Sequence, residues 1–145
     1  MKYPLSYEEF QSIYSKVTRL CVEVIVKTEN GIVLSRRSIE PWKGLWHIPG
    51  GTVYMGEDLV DSVKRVALDE LGVSVEIDKL LGYITYPSIK SQKDSGWAIG
   101  IAFLTHITSG ELRGSYQGEE VAEFKDLPEN TLQEQKDFIL KEGLL

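Results

Sequence analysis

Residues 49–73 read PGGTVYMGEDLVDSVKRVALDELGV, and this stretch decides the fold. It opens with a proline and two glycines, which turn the backbone sharply. From residue 57 to residue 71 the pattern predicts a helix, which Gly72 ends in a left-handed conformation. The apolar stripe of this helix is Leu59, Val60, Val63, Val66, Ala67 and Leu71. Glu70 falls inside that stripe, where a carboxylate is costly unless a cation compensates it.

The spacing of residues in this stretch matches a known signature. The Nudix signature runs Gly, five residues, Glu, seven residues, then Arg-Glu-apolar-any-Glu-Glu-any-Gly-apolar. Its positions are filled here by Gly51, Glu57, Arg65, Glu70, Gly72 and Val73, with Ala67 and Asp69 as close substitutes. Val66 stands where the signature has the first glutamate of its Arg-Glu pair. The chain therefore resembles a Nudix hydrolase with a degenerate signature.

Apolar periodicity predicts the remaining elements. A capping box of Ser6 and Glu9 begins a helix over residues 6–17, which we expect to pack on the core, and a closing helix is expected over 131–142. The first helix has a shared apolar face made of Phe10, Ile13, Tyr14 and Val17. Strands are predicted at 20–27, 32–37, 73–77, 80–86, 97–107 and near 119–124. These elements and the resemblance imply an α/β fold, the Nudix α/β/α sandwich with a mixed β-sheet, as a single domain over residues 1–145.

Composition narrows the class of protein. The chain has 145 residues, a net charge of −6 and one cysteine. The negative charge argues against a nucleic-acid binder, and no apolar run approaches the roughly 20 residues of a membrane helix. The first ten residues also lack the apolar segment of a signal peptide. We therefore expect a cytoplasmic protein without nucleic-acid or membrane partners, in which Cys21 is a buried thiol. A homodimer stays open.

The resemblance implies a metal site. Nudix enzymes hydrolyse nucleoside diphosphates linked to another group, using Mg²⁺ or Mn²⁺, and such hard ions prefer oxygen ligands. Glu70 is the predicted first ligand, because it is the carboxylate on the apolar stripe. By resemblance, the carbonyl of Gly50 is a second ligand, Asp69 ligates through water, and Gln117 is a further ligand by analogy.

Four signature positions are interpreted as structural: Gly51, Glu57, Arg65 and Gly72. For Glu57 and Arg65 we expect an ion pair that braces the loop against the helix.

Two adjacent arginines are candidates for binding phosphate. Arg36 and Arg37 end a predicted strand, and an arginine in this place can hold a phosphate with two hydrogen bonds. Neighbouring strand residues point to opposite faces, so we expect only one of them to face a given pocket. Glu23, inside the first strand, is a substrate-binding residue by resemblance. Substrate-selecting groups are also expected in the polar loop 87–96, PSIKSQKDSG.

Val66 changes the chemistry that the signature implies, because valine can neither activate water nor bind a metal ion. Three interpretations remain. The chain is an enzyme that uses fewer metal ions and takes its base from Glu119 or Glu120. Alternatively, it is an ordinary pyrophosphohydrolase of nucleoside triphosphates or dinucleotides. In that case Asp69, Glu70 and the late acids, the acidic residues at 119–123, together take the role of the missing glutamate. The third interpretation is a non-catalytic nucleotide-binding module.

One group of the family favours the first interpretation. The GDP-mannose mannosyl hydrolases also carry an apolar residue after the signature arginine, and in them water attacks the sugar carbon rather than phosphorus. That group uses a histidine base in the late loop, whereas YQGEEVAEF, residues 116–124, has none. Glu119 or Glu120 would replace it, and Arg37 would stabilise the departing diphosphate. The resemblance thus implies a Mg²⁺-dependent hydrolase of a small nucleotide derivative, with nucleotide sugars favoured and carbon–oxygen cleavage expected.

Overall fold

The structure, a computed structural model, describes residues 3–92 and 96–145. Residues 93–95 of the predicted substrate-selecting loop lie outside that part of the chain. The described helices are α1 Tyr7–Tyr14, α2 Leu59–Leu71 and α3 Gln133–Lys141, with a short 3-10 helix Pro87–Ser91. The strands are β1 Arg19–Thr28, β2 Gly31–Arg36, β3 Trp46–His47, β4 Gly50–Thr52, β5 Val73–Thr85, β6 Ala98–Gly110 and β7 Glu120–Phe124.

The strands form one mixed sheet around β1. The order along the sheet is β3-β2-β1-β6-β5, with β4 paired to β1 and β7 paired to β2. The β1–β6 pair is parallel, and the pairs of β1 with β2 and β4 are antiparallel. The mixed α/β fold expected from the sequence is confirmed.

Side-chain alternation along β1 divides the core into two layers. Val22, Val24 and Val26 lie in one apolar cluster with residues of α2. Ile25 points to the other face, where the cluster includes Ile139 of α3. The two helices therefore cover opposite faces of the sheet, and α2 and α3 are its outer layers.

Helix α2 begins and ends with defined caps. The Asp58 side chain accepts a hydrogen bond from the Val60 N–H at 2.8 Å, and Gly72 has φ 72°. The helix therefore starts two residues later than predicted. Val60, expected in the apolar stripe, is 42% exposed, because it lies about 120° around the helix from Val66.

Helix α1 departs from its prediction. The capping box is present, with Ser6 Oγ accepting from the Glu9 N–H at 3.2 Å, but the helix ends at Tyr14 and buries none of its residues. Ile13 and Val17 are 41% and 52% exposed, so the expected packing on the core is wrong. The Phe10 ring of this helix instead contacts the Tyr3 ring and the Arg19 guanidinium.

Strand β5 joins two segments that were predicted as separate strands, 73–77 and 80–86. It stays paired with β6 along its length through three shifts of register, one of them between Ile77 and Lys79. Such bulges absorb extra residues without ending the pairing.

Within the described residues, no helix is long and apolar enough to cross a membrane.

Candidate active site

The glycine loop, residues 49–58, includes strand β4 and packs closely against β1 and α2. Gly50 lies opposite Glu23 in the pairing of β4 with β1. A Cβ atom on Gly50 would come within 2.6 Å of the Glu23 Oε2 atom, and one on Gly51 within 3.0 Å of the Val66 Cγ2 atom. The absence of side chains thus lets the loop lie directly between β1 and α2.

The expected ion pair between Glu57 and Arg65 is present. Arg65 Nε lies 2.8 Å from Glu57 Oε2, and Arg65 Nη2 donates to Glu57 Oε1 at 2.9 Å and to the Thr52 carbonyl at 2.8 Å. The guanidinium also lies 3.7 Å from the centre of the Tyr54 ring. The hydrogen bonds from Arg65 are the main reason that the pKa of Glu57 is lowered to about 2. This brace ties the loop to α2.

Glu70 is half-buried on α2. Its Oε2 atom accepts a hydrogen bond from Ser115 Oγ at 2.6 Å. Burial raises the pKa of Glu70, while the hydrogen bond from Ser115 and the charges of Arg37 and Arg113 act in the opposite direction. The charge of Asp69 also raises this pKa, so the two arginines compensate the buried carboxylate only in part. Asp69 lies to the side, where its charge acts on Arg65.

Val66 is part of the core. It is 2% exposed and belongs to the cluster that includes Val22 and Val63. Its methyl group fills the space beside Gly51. An apolar side chain thus occupies the position from which the signature presents a carboxylate.

The two arginines differ in their surroundings. Arg37 is half-buried, donates from Nε to the Pro41 carbonyl, and exerts its charge on Glu23 and Glu70. Burial is the main cause that lowers the pKa of Arg37. Arg36 is exposed and lies 3.5 Å from Glu120.

Both arginines border the same cleft. It has a volume of about 240 Å³ and is lined by Arg36, Arg37, Ser38, Lys43, Gly44, Glu119 and Glu120. The expectation that only one arginine would face a given pocket is therefore wrong. Arg37 lies beyond the last residue of β2, where strict alternation of the strand no longer applies.

Glu23 is a buried carboxyl beside the glycine loop. It is 6% exposed and accepts a hydrogen bond from Tyr86 Oη at 2.7 Å. Burial raises its pKa to about 7, against the opposing effects of the Tyr86 hydrogen bond and of Arg19 and Arg37. A carboxyl with this pKa, next to two arginines, is typical of a functional site.

The late loop, residues 111–119 between β6 and β7, is held by hydrogen bonds to α2 and to Ser38. Ser115 Oγ contacts Glu70, and the Ser38 N–H donates to the Gln117 carbonyl at 3.0 Å. The side chains of Gln117 and Glu119 are exposed. The loop thus joins α2 to the end of β2 and brings Glu119 to the rim of the cleft.

The described part of the chain offers few side-chain ligands for a metal ion. Across residues 3–92 and 96–145, no three His, Cys, Asp or Glu side chains form a group that could hold a metal. Glu70 and the Gly50 carbonyl offer oxygen atoms, and Mg²⁺ commonly takes one or two carboxylates with water and substrate phosphates as its other ligands. These two residues stay the ligands predicted from the sequence, and such an ion needs no all-protein cage.

Sequence reasoning missed several residues that complete the site. Arg19 donates to Thr52 Oγ1 and lies near the Cys21 sulphur, both at 3.0 Å. Ser115 and Tyr86 contact Glu70 and Glu23 from distant parts of the chain. The one sequence signal for Arg19 was its basic side chain at the start of an apolar strand. No local pattern indicated Ser115 or Tyr86.

Comparison with known proteins assigns the family. A model described as NUDIX domain matches residues 17–142. The chain belongs to this family. The NUDIX chain is 33% identical over 108 residues to the ADP-ribose pyrophosphatase of Methanocaldococcus jannaschii, covering 74% of the chain and 62% of that protein. It is also 41% identical over 75 residues to the low-salt glycan biosynthesis protein Agl8 of Haloferax volcanii, covering 52% and 48%.

Solved structures share the fold of this NUDIX chain. A MutT NUDIX hydrolase from Burkholderia pseudomallei superposes with a TM-score of 0.76 at 24% identity, covering 86% of this chain and 97% of that one. The chain spans roughly half to three fifths of the length of the two curated relatives.

Proposed function

We propose that this chain is a metal-dependent hydrolase of a nucleoside diphosphate derivative and that its substrates are nucleotide sugars. The observation that carries the proposal is that Arg37 borders the cleft while its charge acts on both Glu70 and Glu23. A guanidinium suits a diphosphate, and Glu70 suits a divalent ion. The family, and a relative named for glycan biosynthesis, support this class of substrate.

The residues divide the work of binding and catalysis. Bound Mg²⁺ or Mn²⁺ would supply positive charge to the departing diphosphate. Arg37, with Arg36 at the rim of the cleft, binds that diphosphate. Glu23 binds the substrate, and Glu119 or Glu120 removes a proton from water.

Val66 supports attack at carbon rather than at phosphorus. Attack at phosphorus places a nucleophile against a charged diphosphate and relies on several carboxylates, one of which is replaced here by a buried valine. Attack at the anomeric carbon needs chiefly a stabilised leaving group and one base on the opposite face. The expected products are free sugar and nucleoside diphosphate.

A second candidate is a pyrophosphohydrolase that attacks phosphorus. The 33% identity to an ADP-ribose pyrophosphatase favours it. In this candidate Asp69, Glu70 and the late acids share the role of the missing glutamate.

A turnover screen in Mg²⁺ tests the proposal, with GDP-mannose, other nucleotide sugars, ADP-ribose, dinucleotides and nucleoside triphosphates as substrates. The active substrate is then hydrolysed in water enriched with heavy oxygen. Label in the sugar supports carbon–oxygen cleavage, whereas label in a phosphate shows the second candidate to be correct. Binding without turnover of any compound would identify a non-catalytic module instead.

A further inference from the structure

A chain of buried hydrogen bonds ties the Glu23 carboxyl to helix α3. Gln135 Nε2 donates to Tyr86 Oη at 3.0 Å, and Tyr86 Oη donates to Glu23 Oε1 at 2.7 Å. The other end of the same amide, Gln135 Oε1, accepts the Ile48 N–H at 2.6 Å. None of these four residues is more than 6% exposed. Water therefore competes little with these contacts, and each one is costly to break.

The donor and acceptor groups set the direction of each of these three hydrogen bonds. The Ile48 N–H can only donate, so it must meet the carbonyl oxygen of Gln135, which places the amide nitrogen toward Tyr86. That nitrogen can also only donate, so Tyr86 Oη accepts there and gives its one proton to Glu23. Glu23 Oε1 is consequently an acceptor whether or not the carboxyl is ionised. Oε2 is the oxygen that remains for other partners.

The packing around Glu23 holds the carboxyl in this orientation. A Cβ atom on Gly100 would come within 2.2 Å of Glu23 Oε1, and one on Gly50 within 2.6 Å of Glu23 Oε2. Two glycines thus form a narrow slot for the carboxyl group. Oε2 lies on the Gly50 side, which is the side of the glycine loop, and Arg37, which borders the cleft, acts on the same carboxyl.

We propose that Tyr86 and Gln135 are positioning residues of this site. Tyr86 keeps Glu23 Oε2 free to accept a hydrogen bond from a substrate hydroxyl, and Gln135 holds both Tyr86 and the backbone at Ile48, two residues before Gly50. Neither residue touches the substrate. This inference rests on the proposed function, because it assigns a binding role to Glu23.

Two near-isosteric variants test the inference. Tyr86→Phe removes only the hydroxyl, and Gln135→Met keeps the length of the side chain but removes both hydrogen bonds. Thr105→Val is the matched control, since the Thr105 hydroxyl is also buried and donates to the Ile25 carbonyl at 3.1 Å in the same sheet. We expect all three variants to lower the melting temperature. Only the first two should raise KM for the active substrate, by about 10-fold or more, the range for losing a hydrogen bond to a charged group, with kcat changed less.

A double variant distinguishes positioning from a general structural effect. If Tyr86 acts through Glu23, then Glu23→Gln combined with Tyr86→Phe should raise KM no further than Glu23→Gln alone. The inference would be overturned if the effects of Glu23→Gln and Tyr86→Phe on KM multiply in the double variant. It would also be overturned if Thr105→Val raises KM as much as Tyr86→Phe does.

If the proposed function fails, ligand binding still tests the positioning role of Tyr86 and Gln135. If the wild-type chain hydrolyses nothing in the screen, binding of GDP-mannose and ADP-ribose is measured by calorimetry in the same variants. Weaker binding in Tyr86→Phe and Gln135→Met, but not in Thr105→Val, supports the positioning role without any turnover. If neither compound binds the wild-type chain, or if both bind the variants with unchanged affinity, the role is refuted.

Discussion

At the scale of single residues, the two carboxyls of the site differ in what surrounds them. Glu70 is half-buried and has a hydroxyl partner from the late loop, whereas Glu23 is buried in a slot between glycines. The position of Glu70 could be predicted from helical periodicity alone, because an acid in an apolar stripe is conspicuous. The environment of Glu23 could not, since Tyr86 and Gln135 lie 63 and 112 positions away in the sequence.

Replacing Glu70 tests the metal site. Glu70→Gln should nearly abolish turnover in Mg²⁺ while the melting temperature stays close to that of the wild-type chain, because the change removes a ligand charge and keeps the shape. Asp69→Asn should reduce turnover less. Initial rates across a range of Mg²⁺ concentrations provide the measurement, and normal turnover by Glu70→Gln would show that the metal lies elsewhere.

At the scale of elements, α2 and its loop follow the sequence closely, and α1 does not. The caps at Asp58 and Gly72 are local chemical signals, so the ends of α2 are predictable to within two residues. The face that a helix buries depends on what lies against it. For α1 the partners of Phe10 are the Tyr3 ring and the Arg19 guanidinium rather than the core, which periodicity cannot indicate.

The brace between the loop and α2 should make stability depend on pH. The pKa of Glu57 is about 2 in the folded chain, against an ordinary value of 4.5. Its contribution is therefore complete above the unfolded pKa and is lost as the pH falls toward the folded pKa. Urea unfolding should show that the wild-type chain loses stability between pH 4.5 and 2 more steeply than Glu57→Gln. Parallel curves for the two proteins would contradict this interpretation.

The late loop and strand β7 distinguish the two candidate bases. Glu120 pairs with Arg36 in the register of β7 with β2, and the two side chains form an ion pair. Glu119 precedes the strand and lines the same cleft as the two arginines. Unlike Glu120, Glu119 makes no ion pair among the described residues, so its carboxylate is the more available of the two to accept a proton.

We accordingly expect Glu119→Ala to lower kcat by about 100-fold or more, the range for removal of a general base. Glu120→Ala should have a smaller effect on kcat and serves as the matched control. Steady-state kinetics with the active substrate measure both. A larger loss in Glu120→Ala would assign the base to that residue, and no loss in either would exclude the late acids.

At the scale of the whole molecule, the fold class could be predicted and the substrate could not. The signature spacing is a property of one helix and loop, and it identifies the architecture that this helix–loop unit belongs to. The sugar and the base are selected by contacts between segments that are remote in sequence, as the glycine slot around Glu23 illustrates. No single stretch of residues encodes such contacts.

The parallel pairing of β1 with β6 has a consequence for how the chain is made. It joins Arg19 to Ala98 and Val26 to Thr105, so partners roughly 80 positions apart must meet before the centre of the sheet exists, and such distant pairing slows folding. On the ribosome, β1 emerges long before β6. Until β6 is synthesised, an apolar strand that ends up covered on both faces stays open to other chains, and that interval is when the nascent protein is most prone to aggregate.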